Sequence, residues 1–251
     1  MARGPARLAL DLAGLQLKYL FHVLRSGEEP AFEKAIRGYT SIATRLARLP
    51  GFEETRGEGK ALLESVRLCY AEAASAGDGA AFARKALAVL APWLTRAALE
   101  PEPVFDWFGC FRYAYDEAQG HVYLHFRNAC CPESPFADPA GRVQELRRLA
   151  ADIRSRGAAP ATIGCDSWLN ELPAFQSLFP PEYKASFAVS PPDSKSGYGW
   201  WGQFVGRDGQ IHRAKAAEFE KTFAFPCRRL TARCAFAALE AHLAAAGARP
   251  G

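Results

Sequence analysis

Through the first hundred residues, apolar positions recur at steps of three and four: Phe32, Ile36, Tyr39, Ala43 and Leu46, then Leu62, Val66, Cys69 and Ala73, then Phe82, Ala86, Val89 and Trp93. A three-to-four step keeps side chains on one face of an α-helix. It predicts four helices at about residues 8–25, 31–48, 60–76 and 80–98, punctuated by Gly27, Pro30, Pro50, Gly51, Gly77 and Gly79. The periodic residues read as the core of a helical module. Glu100-Pro101-Glu102-Pro103 stops the pattern, because proline lacks an N–H and biases the residue before it toward extended geometry. A linker is expected there, dividing a helical module at 1–100 from a second domain at 104–251.

Beyond the linker the period changes to two. The aromatic run 104–115 suits a strand, 116–120 a turn, and 121–128 a strand with His121, Tyr123, His125 and Arg127 on one face and Val122, Leu124 and Phe126 on the other. Helical spacing returns at 142–156, with Val143, Leu146, Ala150 and Ile153 inward and Gly157 at its end. A strand at 161–166, a short helix at about 171–179 stopped by Pro180-Pro181, and a strand at 183–189 follow. A hairpin of 200–205 and 210–213 about Gly206–Gly209, and a helix at about 235–245, complete the chain. The fold class expected is α+β, an N-terminal helical module followed by a mixed β-sheet with helices.

Composition narrows the function. With 251 residues, 49% apolar, and a formal charge of 31 − 27 = +4, this is a globular chain rather than a disordered one. That charge is too small to argue for nucleic acid. Between Arg207 and Arg233 there are seven Lys or Arg against three acids, which favours an anionic ligand or a solvated rim. The seven cysteines are odd in number and unevenly spaced, and Asp11, Gln16 and Lys18 interrupt the apolar stretch 8–24. Reduced thiols in a cytoplasmic protein, with neither export nor a membrane span, are expected. Motifs for nucleotide phosphates, dinucleotides and a serine-hydrolase elbow are absent. His121 and His125 lie about 13 Å apart along a strand, too far to share one ion, and the cysteines lack a zinc-knuckle spacing, so no metal is expected. The oligomeric state is left open.

Leu124-His125-Phe126, Pro132, Ser134-Pro135-Phe136, Cys165-Asp166-Ser167-Trp168-Leu169-Asn170, Leu178-Phe179-Pro180 and Ser186-Phe187 resemble the GNAT-like C-terminal domain of bacterial acyltransferase-domain proteins. The resemblance covers about residues 104–190. It implies a GNAT-like sheet and transfer of an acyl group from an acyl-CoA-type donor to an amine or hydroxyl of a small molecule or peptide. It further implies that the strands at 121–128 and 161–166 splay to admit the pantetheine arm. The pyrophosphate would sit at the helix start around Ala140, Gly141 and Arg142, with Arg142 or Arg147 supplying charge. One departure is plain: the glycine-rich phosphate loop of that family is replaced by Pro132-Glu133-Ser134-Pro135-Phe136-Ala137-Asp138-Pro139-Ala140-Gly141-Arg142, whose prolines supply no N–H. The alternative is a non-catalytic accessory protein that holds a peptide or small molecule on the sheet edge or cleft.

His125 is the candidate general base, or else a hydrogen-bonded structural histidine. Cys165 is either an acyl-accepting nucleophile or a small buried hydrophobe, and Tyr183 is a candidate proton donor to a leaving thiolate. Ser167 either orients substrate or caps the next helix. Asn128, Asn170 and Trp168 join the substrate-binding set. Trp201, Gln203 and His212 either wall a pocket or pack a core.

Overall fold

The computed structural model describes residues 4–27, 31–101, 104–190 and 195–246. In chain order its elements are α1 (Pro5–Arg25), α2 (Phe32–Tyr39), α3 (Ile42–Leu46), α4 (Gly57–Ala76), α5 (Gly79–Leu99), β1 (Phe111–Asp116), β2 (His121–Phe126), α6 (Pro139–Ser155), β3 (Thr162–Ser167), α7 (Pro173–Gln176), α8 (Pro181–Ala185), β4 (Ala188–Val189), α9 (Tyr198–Trp201), α10 (Arg213–Thr222), β5 (Leu230–Ala235) and α11 (Phe236–Ala246). The fold class is α+β, with helices preceding the sheet, as the periodicity predicts. Among the described residues no helix is long and apolar enough to cross a membrane.

The chain divides into two compact units: residues 1–102 with 191–226, and residues 103–190 with 227–251. Half of the expected linker, Glu102 and Pro103, lies outside the described residues. In the first unit α1 is buried on two sides. Ala13, Leu17, Leu20 and Phe21 pack with Phe82, Ala86 and Leu90 of α5, while Leu12, Leu15, Tyr19 and Val23 pack with Trp200, Trp201, Phe204 and Phe219. Apart from the adjacent Leu20 and Phe21, both sets step by three or four, so one helix presents two apolar stripes. The helix expected at 31–48 breaks at Thr40, because buried Gln16 takes the Ser41 N–H (3.1 Å) and donates to the Ser41 hydroxyl (2.8 Å).

The stretch expected to form an aromatic hairpin of the second domain differs most. Residues 198–204 coil into a helical turn and a 3₁₀ turn whose rings cover α1, and the hairpin shrinks to one bridge, Val205 to Ile211, around the Gly206–Gly209 turn. Trp200, Trp201 and Phe204 share one face of a helical turn, whereas a strand sets Trp201 opposite to Trp200 and Phe204, so burying all three rings against α1 favours the helical turn.

In the second unit the strand order is β1-β2-β3-β5-β4. The β1–β2 hairpin is paired along its whole length, and β5 runs antiparallel to β3 through six residue pairs. Gly164 makes that approach possible, since a Cβ there would stand 2.1 Å from the Ala232 carbonyl oxygen. One sheet face buries Val122, Leu124, Ile163, Cys165, Ala232 and Cys234 with Leu146, Leu149 and Ile153 of α6 and Phe236, Leu239 and Leu243 of α11. Ala114, Tyr123, Thr231, Arg233 and Ala235 of the strands are exposed. Of the strand expected at 183–189, residues 183–185 belong to the helix α8, where Pro181 suits a first helical position, and only Ala188–Val189 are strand. The strand β5, which lies between β3 and β4, and the helix α10 have no counterpart in the sequence reading.

Candidate functional site

Strands β2 and β3 are parallel neighbours, yet they pair only through His121–Thr162, Val122–Ile163 and Tyr123–Gly164. Beyond these no residue of Leu124–Phe126 pairs with one of Cys165–Ser167, so the two strands part at their C-terminal halves. Such a parting leaves backbone donors and acceptors facing an opening, where an extended ligand arm can pair with them.

His125 lies on the β2 half of this opening, on the sheet face of His121 and Tyr123, and half-buried. Its cross-strand neighbour is Arg112. Burial first, and then the Arg112 charge, hold the imidazole below its ordinary pKa, so it is neutral at neutral pH and able to accept a proton. Arg112 and Arg127 belong to a stack: Arg112 lies 4.0 Å from the Phe105 ring centre and 5.5 Å from that of Trp107, and Arg127 lies 4.1 Å from Trp107. Two guanidiniums held by aromatic faces thus put positive charge on the β1–β2 side of the opening. The sequence reading placed Arg127 in this row but missed Arg112, Phe105 and Trp107, which only the register of β1 brings alongside.

Ser167 is not brought to His125. The pleat puts Ser167 on the face of Ile163 and Cys165, opposite to that of His125. Its hydroxyl accepts from the Leu169 N–H at 3.2 Å and starts the turn Trp168–Glu171, the capping role that was the alternative.

Cys165, Asn170 and Tyr183 do come together, but away from solvent. The Tyr183 hydroxyl donates to Asn170 Oδ1 at 2.9 Å and lies 3.3 Å from Cys165 Sγ, while the Asn170 amide donates to the carbonyls of Cys165 (3.2 Å) and Leu230 (2.6 Å). Burial pushes the Cys165 thiol up to about 11 and the Tyr183 phenol higher still. Both are neutral at physiological pH, and Asn170 is fully buried. This trio ties β3 to β5 and α8, so a nucleophilic thiolate and an accessible acid are not what it provides. Trp168 packs partly buried against the same core. Asn128 pins the loop after β2, donating to the Glu133 carbonyl (3.0 Å) and accepting from the Cys130 N–H (2.9 Å).

The start of α6 is already furnished with an anion. Asp138 accepts from the Gly141 N–H at 2.9 Å, the capping role of an N-cap carboxylate. Arg142 turns inward, pairs with Glu145 at 2.8 Å and is itself buried. Arg147 donates to the carbonyls of Leu243 (3.0 Å) and Ala244 (3.3 Å), closing the end of α11. The expected phosphate residues Gly141, Arg142 and Arg147 therefore have other partners. An aspartate three positions before a glycine in a first helical turn was the sequence signal for this cap.

Trp201, Gln203 and His212 belong to the other unit. Trp201 donates its indole N–H to the Lys195 carbonyl (2.6 Å), Gln203 is fully buried and donates to the Trp200 carbonyl (2.8 Å), and His212 caps α10 through Nδ1. They pack and cap within that unit. A hollow of about 370 Å³ on the same unit is lined by Pro50–Phe52, Arg56, Trp93 and Arg96, and none of the candidate residues borders it. Among the described residues no group of three or more His, Cys, Asp or Glu is placed to hold a metal ion. No family model, no curated protein and no solved structure matches the chain.

Proposed function

We propose that the second unit is a GNAT-like acyl-transfer domain in which the parting of β2 and β3 receives the extended arm of an acyl-CoA-type thioester. The observation that carries this reading is the pairing of those two parallel strands, which stops after Tyr123 and Gly164. An amine or hydroxyl acceptor attacks the thioester carbonyl, His125 takes the acceptor's proton, and the tetrahedral oxyanion collapses with loss of the thiolate. The neutral imidazole suits the base, and Arg112 and Arg127 put positive charge beside the developing anion. Tyr183 is too deeply buried to protonate the thiolate, which leaves with solvent as its proton source.

A second reading rests on Asp138. Its carboxylate holds the helix start where the donor's pyrophosphate would dock, which favours an accessory protein that binds an uncharged arm or an extended peptide at the strand opening. Calorimetry with CoA, acetyl-CoA, longer acyl-CoAs and pantetheine separates the two. The acyltransferase reading expects heat with an acyl-CoA, and tighter binding in Asp138→Asn, which keeps the cap and removes the repelling charge. No heat with any acyl-CoA in either protein overturns it in favour of the accessory reading.

A further inference from the structure

None of the seven cysteines is in a disulfide, and two of them meet. Cys110 Sγ and Cys130 Sγ lie 3.9 Å apart, close to van der Waals contact, and one guanidinium nitrogen of Arg142 stands 2.8 Å from each. The backbones are held in place independently of the sulfurs. Cys110 immediately precedes β1, its N–H donates to Glu145 Oε2 at 3.0 Å, and its carbonyl accepts from the Arg127 N–H at 2.9 Å, which closes the open end of the hairpin. Cys130 is fixed through the Asn128 side chain. Gly109, at φ +69°, lets Glu145 approach, since a Cβ there would fall 1.9 Å from its carboxylate oxygen.

We propose that Cys110 and Cys130 are an oxidative modification site, a dithiol that a hydroperoxide closes into an intrachain disulfide. The sulfurs need to close from contact to about 2.05 Å, a side-chain movement between two anchored backbones. The half-buried Cys130 meets the oxidant. Its sulfur, 2.8 Å from an Arg142 guanidinium nitrogen, gives its proton to solvent and attacks the peroxide oxygen as the thiolate, yielding the sulfenic acid and hydroxide, or an alkoxide from an organic peroxide. Cys110 is fully buried and its thiol is pushed up to about 11, mainly by desolvation, so it serves as the protonated resolving partner. Its sulfur displaces hydroxide from the Cys130 sulfenic acid, its proton goes to that hydroxide, and the products are one disulfide and one water. The peroxide is reduced by two electrons and the two thiols are oxidised by two. The remaining thiols lack this arrangement: Cys131 is exposed, and Cys165 is engaged with Tyr183. This proposal stands whether or not the protein transfers acyl groups.

The test is a non-reducing peptide map of the full chain after treatment with hydrogen peroxide and alkylation in denaturant. Trypsin cuts after Arg112 and Arg127, so Cys110 and Cys130 fall on separate peptides, whereas Cys130 and Cys131 share one. The map is therefore repeated in Cys131→Ser. The expected result in both proteins is loss of two titratable thiols and one cross-linked pair of peptides joining Cys110 to Cys130. In Cys110→Ser the reaction should stop at a Cys130 sulfenic acid, trapped by dimedone. The proposal is overturned if Cys110 of the wild-type protein stays fully alkylatable after oxidation, or if the thiols lost are Cys130 and Cys131 joined to each other.

Discussion

Replacing Asn170 by leucine, a side chain of nearly the same volume, should cost about 2–4 kcal/mol of stability in the sheet unit. The side chain is fully buried and serves four groups: the Tyr183 hydroxyl, the Cys165 thiol at 3.6 Å, and the carbonyls of Cys165 and Leu230. Losing the acceptor strands a buried phenol, at about 1–3 kcal/mol. The two carbonyls keep a second lone pair for other bonds and cost about 1 kcal/mol each, while added apolar burial returns about 1 kcal/mol. Tyr183→Phe removes only the hydroxyl and leaves Asn170 Oδ1 within reach of the Cys165 thiol, so it should cost about 1 kcal/mol. Because two units can unfold separately, bulk fluorescence in urea is a poor reporter. Hydrogen exchange read by mass spectrometry on peptides covering Thr162–Ser167 and Leu230–Ala235 localises the loss. If Asn170→Leu changes the opening free energy of those strands by less than about 0.5 kcal/mol, or Tyr183→Phe costs more than Asn170→Leu, the trio is not the tie between β3, β5 and α8 that its geometry describes.

Three further outcomes follow from the same contacts. The folded state keeps the His125 pKa below its ordinary value, so its stability is undiminished above about pH 6.5 and falls as pH drops from there toward the folded pKa; burial lowers His121 in the same window, so His125→Gln should reduce the slope of that part of a stability-against-pH curve, and an unchanged slope would count against the assignment. Gly109→Ala forces a Cβ into the Glu145 carboxylate at a positive φ, which should lower stability by about 2–4 kcal/mol in thermal unfolding. Arg147→Met should free the last carbonyls of α11, speeding exchange over Leu239–Ala246 while leaving any acyl-CoA heat unchanged; weakened CoA binding would return Arg147 to the phosphate site.

Helices α1, α4 and α5, the β1–β2 hairpin and α6 were legible because each carries a long stripe of one period, as with Val122 and Leu124 or Leu146 and Ile153, whereas α8, α9 and α10 carry none and were not read as helices. Leu230–Ala235 carries the same alternation, but of its inward residues Leu230, Ala232 and Cys234 two are small, and its span is short, so the pattern has little contrast. Local periodicity says which face of a strand is apolar, not which strand stands beside it. His125 could therefore be placed on a polar face, whereas its pairing with Arg112 and its separation from Ser167 depend on register. The inward turn of Arg142 was hidden for another reason: a basic residue at a helix start reads as exposed until two thiols and Glu145 from the surrounding fold claim it.

The interleaving of the two units sets the order in which the chain can finish folding. The sheet begins with β1, but the strand that satisfies the second edge of β3 comes only after residues 191–226 have gone to the helical unit. During synthesis β3 must wait with one edge unpaired until Leu230–Ala235 emerges, and α1 waits for Trp200, Trp201 and Phe219 to cover its second stripe. A ribosome pausing between Ser190 and Leu230 would hold both units incomplete, with a bare strand edge and an uncovered apolar helix face exposed together. That interval is where chaperone binding or aggregation of the nascent chain should concentrate.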